Sequence, residues 1–147
     1  MDKIDFIKVF DDVAKSHGFV SKFGGWFFEN EEAVAVLDLQ KSKYGNYYDL
    51  NLKIFLIGVF KEQYEKSKAL VKKDVGDIFS RQPLEYNEVF NLENNISIDR
   101  RRELLKTLFK VFVMPFLQQT MNKTSLKRAV SQNELFVLPA VKDALGL

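Results

Sequence analysis

The feature that most constrains this chain is the stretch from Ala33 to Phe60, in which two apolar, strand-like runs flank a short turn. Side chains alternate between the two faces of a strand, so apolar residues at every second position mark one buried face. Both runs follow this alternation, and the segment Lys43–Asn46 between them contains residues that favour turns. The pattern predicts an antiparallel β-hairpin.

The register of this hairpin follows from matching apolar residues with apolar residues across the two strands. Leu39 then lies opposite Leu50, and polar Asp38 lies opposite polar Asn51. A slip of one residue would turn Asp49 and its polar neighbours into the core, so the alternative register is disfavoured. The predicted pairs are Leu37–Leu52, Asp38–Asn51, Leu39–Leu50 and Gln40–Asp49.

Apolar stripes at helical spacing predict helices at both ends of the chain. The first runs from Asp2 to Ser16, with Asp2 as its cap. The longest runs from Ser97 to Met121 and should be kinked by Pro115, which removes a hydrogen bond. Its predicted buried stripe consists of Leu104, Leu105, Leu108, Phe109, Phe112 and Phe116. Two shorter helices are predicted at 124–130 and 135–145.

The remaining segments complete a predicted sheet. A strand around Trp26 extends the hairpin to a three-stranded meander over residues 22–57. Residues 61–73 are compatible with a loop or a short helix, and residues 86–90 with a short fifth strand. A fourth strand is predicted at 74–81, with Val75, Ile78 and Phe79 buried. Beyond Lys53 the polar alternation of the hairpin stops at Phe55 and Ile57, so both sheet faces should be covered there.

These predictions combine into one α+β domain that spans residues 1–147. Its antiparallel sheet of four to five strands should pack against the long helix 97–121 and the N-terminal helix 2–16. The expected contacts between the long helix and the hairpin are Leu50, Leu52, Phe109 and Phe112.

The turn of the hairpin carries a short motif. Residues 39–45 read Leu-Gln-Lys-Ser-Lys-Tyr-Gly, and Tyr48 and the pair Asn51-Leu52 follow. This arrangement resembles a bacterial family catalogued as a domain of unknown function, DUF4304, in which such a turn joins two strands. The resemblance covers about the first 120 residues. It implies an α+β domain and no particular activity.

Composition excludes several chemistries. The chain has no cysteine and one histidine, which excludes disulfides, Cys–His catalysis and multi-histidine metal sites. His17 ends the first helix, where capping or packing is favoured over general-base catalysis. No phosphate-binding glycine loop is present. We therefore expect no catalytic residue, no metal and no cofactor. We also expect no membrane span and a cytoplasmic location, because no long apolar run and no leader pattern occur.

The polar face of the hairpin is the first candidate binding site. Its members are Asp38, Gln40, Asp49, Asn51 and Lys53, with Ser42 and Tyr44 at the tip. Amide side chains in the middle of a strand have poor strand propensity, so packing does not account for them. The face is either a solvated sheet surface or a recognition surface. Tyr44 and Tyr47 either shield the hairpin or contact a partner.

The second candidate is a basic patch of Arg100, Arg101 and Arg102 at the start of the long helix, where the helix dipole disfavours cations. At least one of these arginines is expected to pair with an acidic side chain of the first helix, such as Asp5 or Asp12. A nucleic-acid site is the alternative, disfavoured by a net charge of only +2.

The sequence leaves the function unknown. A non-enzymatic bacterial module that binds a protein or a second copy of itself, as an immunity or accessory protein does, is the first hypothesis. The alternative is binding or hydrolysis of a small polar ligand at the hairpin's polar face, with Asp38 or Asp49 as a base. A deep pocket beside Asp38 and Asn51 would favour the ligand, and a flat exposed face would favour the protein partner.

Overall fold

The computed structural model describes all 147 residues and contains one five-stranded sheet whose strands follow chain order. Every neighbouring pair of strands is antiparallel. The strands are β1 (Val20–Lys22), β2 (Gly25–Glu29), β3 (Ala33–Lys41), β4 (Tyr48–Leu56) and β5 (Ile78–Arg81). The α+β class and the antiparallel sheet are confirmed.

Seven α-helices accompany the sheet. They are α1 (Lys3–Ser16), α2 (Lys68–Lys72), α3 (Asn87–Phe90), α4 (Ile98–Leu108), α5 (Met114–Thr120), α6 (Lys123–Ser131) and α7 (Pro139–Ala144). A 3-10 turn spans Leu84–Tyr86, and a π-helical segment at Phe109–Val113 joins α4 to α5. The predicted caps are confirmed, because the Asp2 and Ser97 side chains accept hydrogen bonds from the first turns of α1 and α4.

The predicted hairpin register is confirmed. β3 and β4 pair Leu39 with Leu50 and Asp38 with Asn51. The loop closes with a 2.9 Å hydrogen bond from the Ser42 N–H to the Tyr47 carbonyl. Apolar side chains therefore occupy one sheet face along the full hairpin, and the other face divides into an apolar end and a polar end.

The meander begins earlier than predicted because β1 forms an additional hairpin with β2. Phe23 and Gly24 connect the two strands, with φ angles of 54° and 77°. Two central residues with positive φ are typical of a type I′ turn, whose twist matches that of the flanking strands.

One face of the sheet, which we call the helix face, packs against the helices in an aromatic core. The Phe10 ring of α1 lies 4.6 Å from the Trp26 ring of β2 and 5.6 Å from the Phe109 ring, measured between centroids. Leu50, Leu52 and Phe109 are fully buried, as expected for the contact between the long helix and the hairpin.

The opposite face, which we call the cleft face, is covered at one end only. Leu70 and Val71 of α2 pack there in a second apolar cluster with Phe55 and its strand neighbours. Gly25 permits this approach, because a Cβ at that position would lie 2.7 Å from a Val71 methyl carbon. Coverage of both faces near Phe55 is therefore confirmed, and the polar end of the cleft face stays open.

The long helix departs from its predicted stripe in the π-helical segment. Phe112, predicted to be buried, is only partly buried, and Val113 takes the buried position. A π turn holds more residues than an α turn, so it rotates the following side chains relative to a regular helix. Pro115, which has no N–H to donate, follows this segment after Met114, so the helix departs from regular α geometry in the turn before the proline.

Residues 74–90 differ most from prediction. Val75 and Phe79 are exposed by 65% and 42%, and of the three residues predicted to be buried only Ile78 is. The reason is the pairing of β5, which places Phe79 beside Lys53 on the open cleft face. Residues 86–90 form the end of a 3-10 turn and helix α3 instead of a fifth strand.

Arg101, which belongs to α4, explains why residues 86–90 are helical. Arg101 is fully buried, and its guanidinium donates to the carbonyls of Val89 and Asn91 and, at 2.8 Å, to the Asn94 side chain. These donors satisfy carbonyls at the end of α3 that no helical N–H can reach.

The three arginines of the predicted basic patch lie in different environments. Arg100 is exposed, Arg101 is buried, and Arg102 pairs with Asp12 of α1 at 3.4 Å, so the three guanidinium groups share no surface. The expected ion pair with the first helix is confirmed by the contact between Arg102 and Asp12.

The aromatic core provides the first test. Phe109→Ala should destabilise the protein by about 3–5 kcal/mol, because it removes a fully buried ring. Val111→Ala in the same π-helical segment is the matched control, since Val111 is 55% exposed and should change stability by no more than about 0.5 kcal/mol. Urea unfolding measures both free energies, and equal losses would contradict the assigned stripe.

Candidate functional site

The open end of the cleft face carries a connected polar cluster. Asp38 and Gln40 of β3 lie beside Asn51 and Lys53 of β4, because the register places them on one face. Asn51 Nδ2 donates to Gln40 Oε1 at 2.9 Å and to Asp38 Oδ2 at 3.4 Å. Four of the residues predicted from the hairpin pattern therefore meet in one place.

Asp38 is the centre of the cluster. It is 4% exposed, and its two carboxylate oxygens face different lysines. Lys72 Nζ, at the end of α2, lies 2.5 Å from Oδ1, and Lys53 Nζ lies 4.0 Å from Oδ2. A buried carboxylate requires such partners, since an isolated buried charge is strongly unfavourable.

Lys53 is the most unusual member. Its side chain is 4% exposed, and its amine donates to the carbonyl of Val71. Burial lowers the pKa of Lys53 below the ordinary lysine value, the neighbouring charge of Asp38 raises it in part, and Lys72 lowers it further. An ammonium group has three N–H donors, and Val71 is the one acceptor within hydrogen-bond distance.

Arg81 of β5 connects the cluster to the sheet edge. Its Nε donates to Asn51 Oδ1 at 2.8 Å, and its Nη2 donates to Gln40 Oε1 at 3.2 Å. The side chain remains about half exposed, so the guanidinium has donors left for another molecule.

These residues line an open cleft with a volume of about 710 Å³. Six of its lining residues are cationic and two are acidic. The cations are Lys3, Lys41, Lys53, Lys72, Lys73 and Arg81, and the acids are Asp38 and Asp74. The apolar lining residues are Ile7, Trp26, Leu39, Tyr48, Val75 and Phe79. Of these, Trp26, Leu39 and Tyr48 are buried in the core of the helix face, whereas Phe79 is the aromatic side chain exposed on the cleft face. The lining of the cleft therefore carries an excess of positive charge and one exposed aromatic ring.

The Trp26 side chain, which is buried in the core of the helix face, is held by α1. The indole Nε1 donates to Asp11 Oδ1 at 2.9 Å, and Lys15 pairs with the same carboxylate at 2.9 Å. Burial raises the pKa of Asp11, but the hydrogen bonds from Lys15 and Trp26 outweigh it, so the pKa lies below its usual value. This arrangement fixes the orientation of the indole beside the cleft.

Three predicted site residues lie outside the cleft. Ser42 and Tyr44 are in the hairpin loop and line neither this cleft nor the smaller cavity beside Asp49, and Tyr44 is 91% exposed. Asp49 borders a smaller cavity of about 300 Å³ and accepts a 3.1 Å hydrogen bond from Gln82. The polar face of the hairpin is therefore divided between two cavities and the loop.

Sequence reasoning missed Lys72 and Arg81. Lys72 lies in the segment 61–73, which the sequence leaves as a loop or a short helix, and Arg81 ends the strand predicted at 74–81. They reach the cluster through α2 and β5. The alternation in Phe79-Ser80-Arg81 is a signal that could have placed Arg81 and Phe79 on one strand face.

His17 has the structural role expected of it. Its Nδ1 lies 2.9 Å from the Val13 carbonyl, and its ring packs against Phe109 with 5.1 Å between centroids. The chain holds no cluster of three or more histidine, cysteine or acidic residues suited to a metal. None of the helices combines the length and apolar character that crossing a membrane requires.

The fold and this cleft define an α+β domain with a predominantly cationic cavity on the open face of an antiparallel sheet. The sequence profile described as Domain of unknown function (DUF4304) matches residues 10–119, so the chain belongs to that family. The resemblance carried by the hairpin turn is confirmed. No protein with a curated description and no solved structure matches the chain.

The buried cluster yields the second test. Asp38→Asn should cost about 1.5–3 kcal/mol, because it leaves the buried Lys53 amine without its counter-charge. Adding Lys53→Met should recover part of this loss, since the unpaired charge disappears. Asp49→Asn is the control: that side chain is 48% exposed and should cost less than about 1 kcal/mol.

The pH dependence of the same variants supplies a further readout. Because burial lowers the pKa of Lys53, the unfolded chain binds this proton more tightly than the folded chain. Stability should therefore rise with pH between the lowered pKa and the ordinary lysine value, and Lys53→Met should lack this rise. The coupling of Asp38 with Lys53 would be contradicted if the double variant lost as much stability as the two single variants together. It would also be contradicted if Lys53→Met and the wild type showed the same dependence of stability on pH.

Proposed function

We propose that this protein binds a small anionic molecule that carries an apolar or aromatic group, in the cleft on the open face of its sheet. The observation that carries the proposal is the surplus of cations around a buried polar cluster, six basic residues against two acidic ones. An anion entering the cleft would reduce the repulsion between Lys53 and Lys72 and supply acceptors for their free donors.

The dimensions of the cleft support a small ligand. Its volume of about 710 Å³ lies within the range of about 300–1,000 Å³ that small-molecule sites occupy. Phe79 is 42% exposed and offers aromatic surface for the apolar part, while Lys72 and Arg81 are half exposed and available to a carboxylate or phosphate.

Two features argue for binding by a preformed site. The Asn51 amide is hydrogen-bonded to Asp38, Gln40 and Arg81, which fixes the polar groups before a ligand arrives. Pre-organisation of this kind reduces the entropy lost on binding. The proposal is for ligand binding, and the cytoplasmic location expected from the sequence remains a prediction.

A second candidate is contact with a protein partner or a second copy of the chain. β5 is an edge strand, and Val75 and Phe79 beside it are 65% and 42% exposed. Such an edge can accept a further strand. It ranks second because these same side chains line the cleft. Nucleic-acid binding through the basic helix loses its support, since Arg101 is buried and Arg102 is paired.

Phenyllactate, an anion with one aromatic ring, is a suitable probe for the first candidate. It should bind saturably in isothermal titration calorimetry and raise the melting temperature, while uncharged 2-phenylethanol should bind far more weakly. Arg81→Gln should lower the affinity about tenfold or more, because it removes a charge-assisted hydrogen bond.

Lys142→Gln is the matched control, since Lys142 is an exposed lysine of α7 outside the cleft and should bind phenyllactate as the wild type does. Equal affinities for the charged and the uncharged probe, or equal losses in Arg81→Gln and Lys142→Gln, would contradict the proposed function.

A further inference from the structure

We infer that the Lys53 amine is a nucleophile that condenses with the ketone of a 2-oxo acid held in the cleft and forms an imine. The inference rests on the proposed function and names its ligand more narrowly: an anion whose carboxylate stands next to a carbonyl group and whose remainder is apolar.

The placement of Lys53 is the first argument. Lys53 belongs to β4, an interior strand between β3 and β5, and lines the cleft among the buried polar groups with a side chain that is 4% exposed. A neutral amine has two N–H donors and one lone pair. The Val71 carbonyl accepts one donor, and the Asp38 carboxylate lies 4.0 Å away for the other. The lone pair then has no partner in the protein and is free to attack a ligand.

The electrostatic surroundings favour the neutral amine that this chemistry requires. Burial is the main cause of the lowered pKa of Lys53, and the Lys72 ammonium adds to it, while Asp38 and Asp74 act in the opposite direction. Lysines that form imines are activated in this way, by desolvation and by a second cation.

The cations around Lys53 select a ligand with a carboxylate beside its carbonyl. Lys72 and Lys53 face the same Asp38 carboxylate, and Arg81 is joined to that carboxylate through Asn51. An anion that contacts Lys72 or Arg81 therefore lies close to the Lys53 amine. In a 2-oxo acid the ketone carbon is bonded directly to the carboxylate carbon, so one molecule can reach both.

The proposed step is balanced without a further reagent. The Nζ lone pair forms a bond to the ketone carbon, and the π electrons of the C=O bond move to oxygen. A proton passes from nitrogen to that oxygen, with the Asp38 carboxylate as the nearest acceptor and donor, which gives a carbinolamine. The Asp38 carboxylate takes the second proton of the nitrogen and passes it to the hydroxyl group, which leaves as water while the nitrogen lone pair completes the C=N bond. One amine and one ketone become one imine and one water, with no change of oxidation state overall.

Phenylpyruvate and phenyllactate form a matched pair of probes, because they differ only in a ketone against a hydroxyl group. The full-length protein is incubated with each probe and sodium cyanoborohydride, which reduces an imine to a stable secondary amine. Intact mass and peptide mapping then locate the adduct. We expect a single mass gain equal to phenylpyruvate less one oxygen atom, located on Lys53, and no gain with phenyllactate.

Exposed lysines provide the internal control. Lys142 is exposed and has no role in the cleft, so only its accessibility would allow it to react. Labelling of Lys142 and other surface lysines, with Lys53 unmodified, would overturn the inference. Lys53→Met should lose the single adduct, and a folded Lys72→Gln variant should form it several-fold more slowly, since one cation that lowers the Lys53 pKa and attracts the carboxylate is missing. The wild-type peptide map remains decisive if Lys53→Met does not fold.

The outcomes separate this inference from the proposed function. Saturable binding of both acids without an adduct on Lys53 overturns the imine and leaves anion binding in place. An adduct on Lys53 without saturable binding of phenyllactate supports the reactive amine and contradicts the anion-binding function. The absence of both binding and adduct overturns both proposals.

Discussion

The registered pairing of β3 with β4 is the constraint on which the other elements depend. It places an unbroken apolar surface on one side of the sheet, where α1 and the long helical segment pack. On the other side the same register gathers apolar residues at one end and Asp38, Asn51 and Lys53 at the other. Helix α2 covers the apolar end, and the polar end remains open because no apolar surface is left there to bury.

The stability of the fold does not by itself account for the buried cluster around Asp38 and Lys53. Replacing a buried ion pair by well-packed apolar residues is often neutral or stabilising, so Asp38 and Lys53 are not needed to hold the strands together. Asp38 and Lys53 lie on the same sheet face as the apolar residues Val36 and Phe55, and apolar side chains at their positions would have extended that apolar surface. Polar groups in such a place rigidify one arrangement when their hydrogen bonds are satisfied. Here the Lys53 amine keeps unused N–H donors, and this incomplete satisfaction is the physical basis of the proposed ligand site.

The sequence predicted most where its signal was periodic. Alternation located the hairpin and its register, and helical spacing located α1 and the long helix, because buried faces repeat at the period of the element. Prediction failed where long-range contacts decide the local structure. Residues 86–90 are helical because Arg101 caps them from another helix, and Phe112 is displaced by a π turn that no spacing reveals. The same reasoning found the four members of the cluster that belong to β3 and β4. It missed Lys72, which lies in a segment without a clear period, and Arg81, because the sequence does not show with which strand β5 pairs.

The central claim is that the Lys53 amine lies in a ligand cleft in an environment that disfavours its charge. The most direct measurement is an NMR pH titration of the Lys53 side-chain amine, with and without phenyllactate. The account predicts that in the free protein the Lys53 pKa lies below the ordinary lysine range and that the bound anion raises it, because a negative charge stabilises the ammonium form. An ordinary lysine pKa that phenyllactate leaves unchanged would contradict the account.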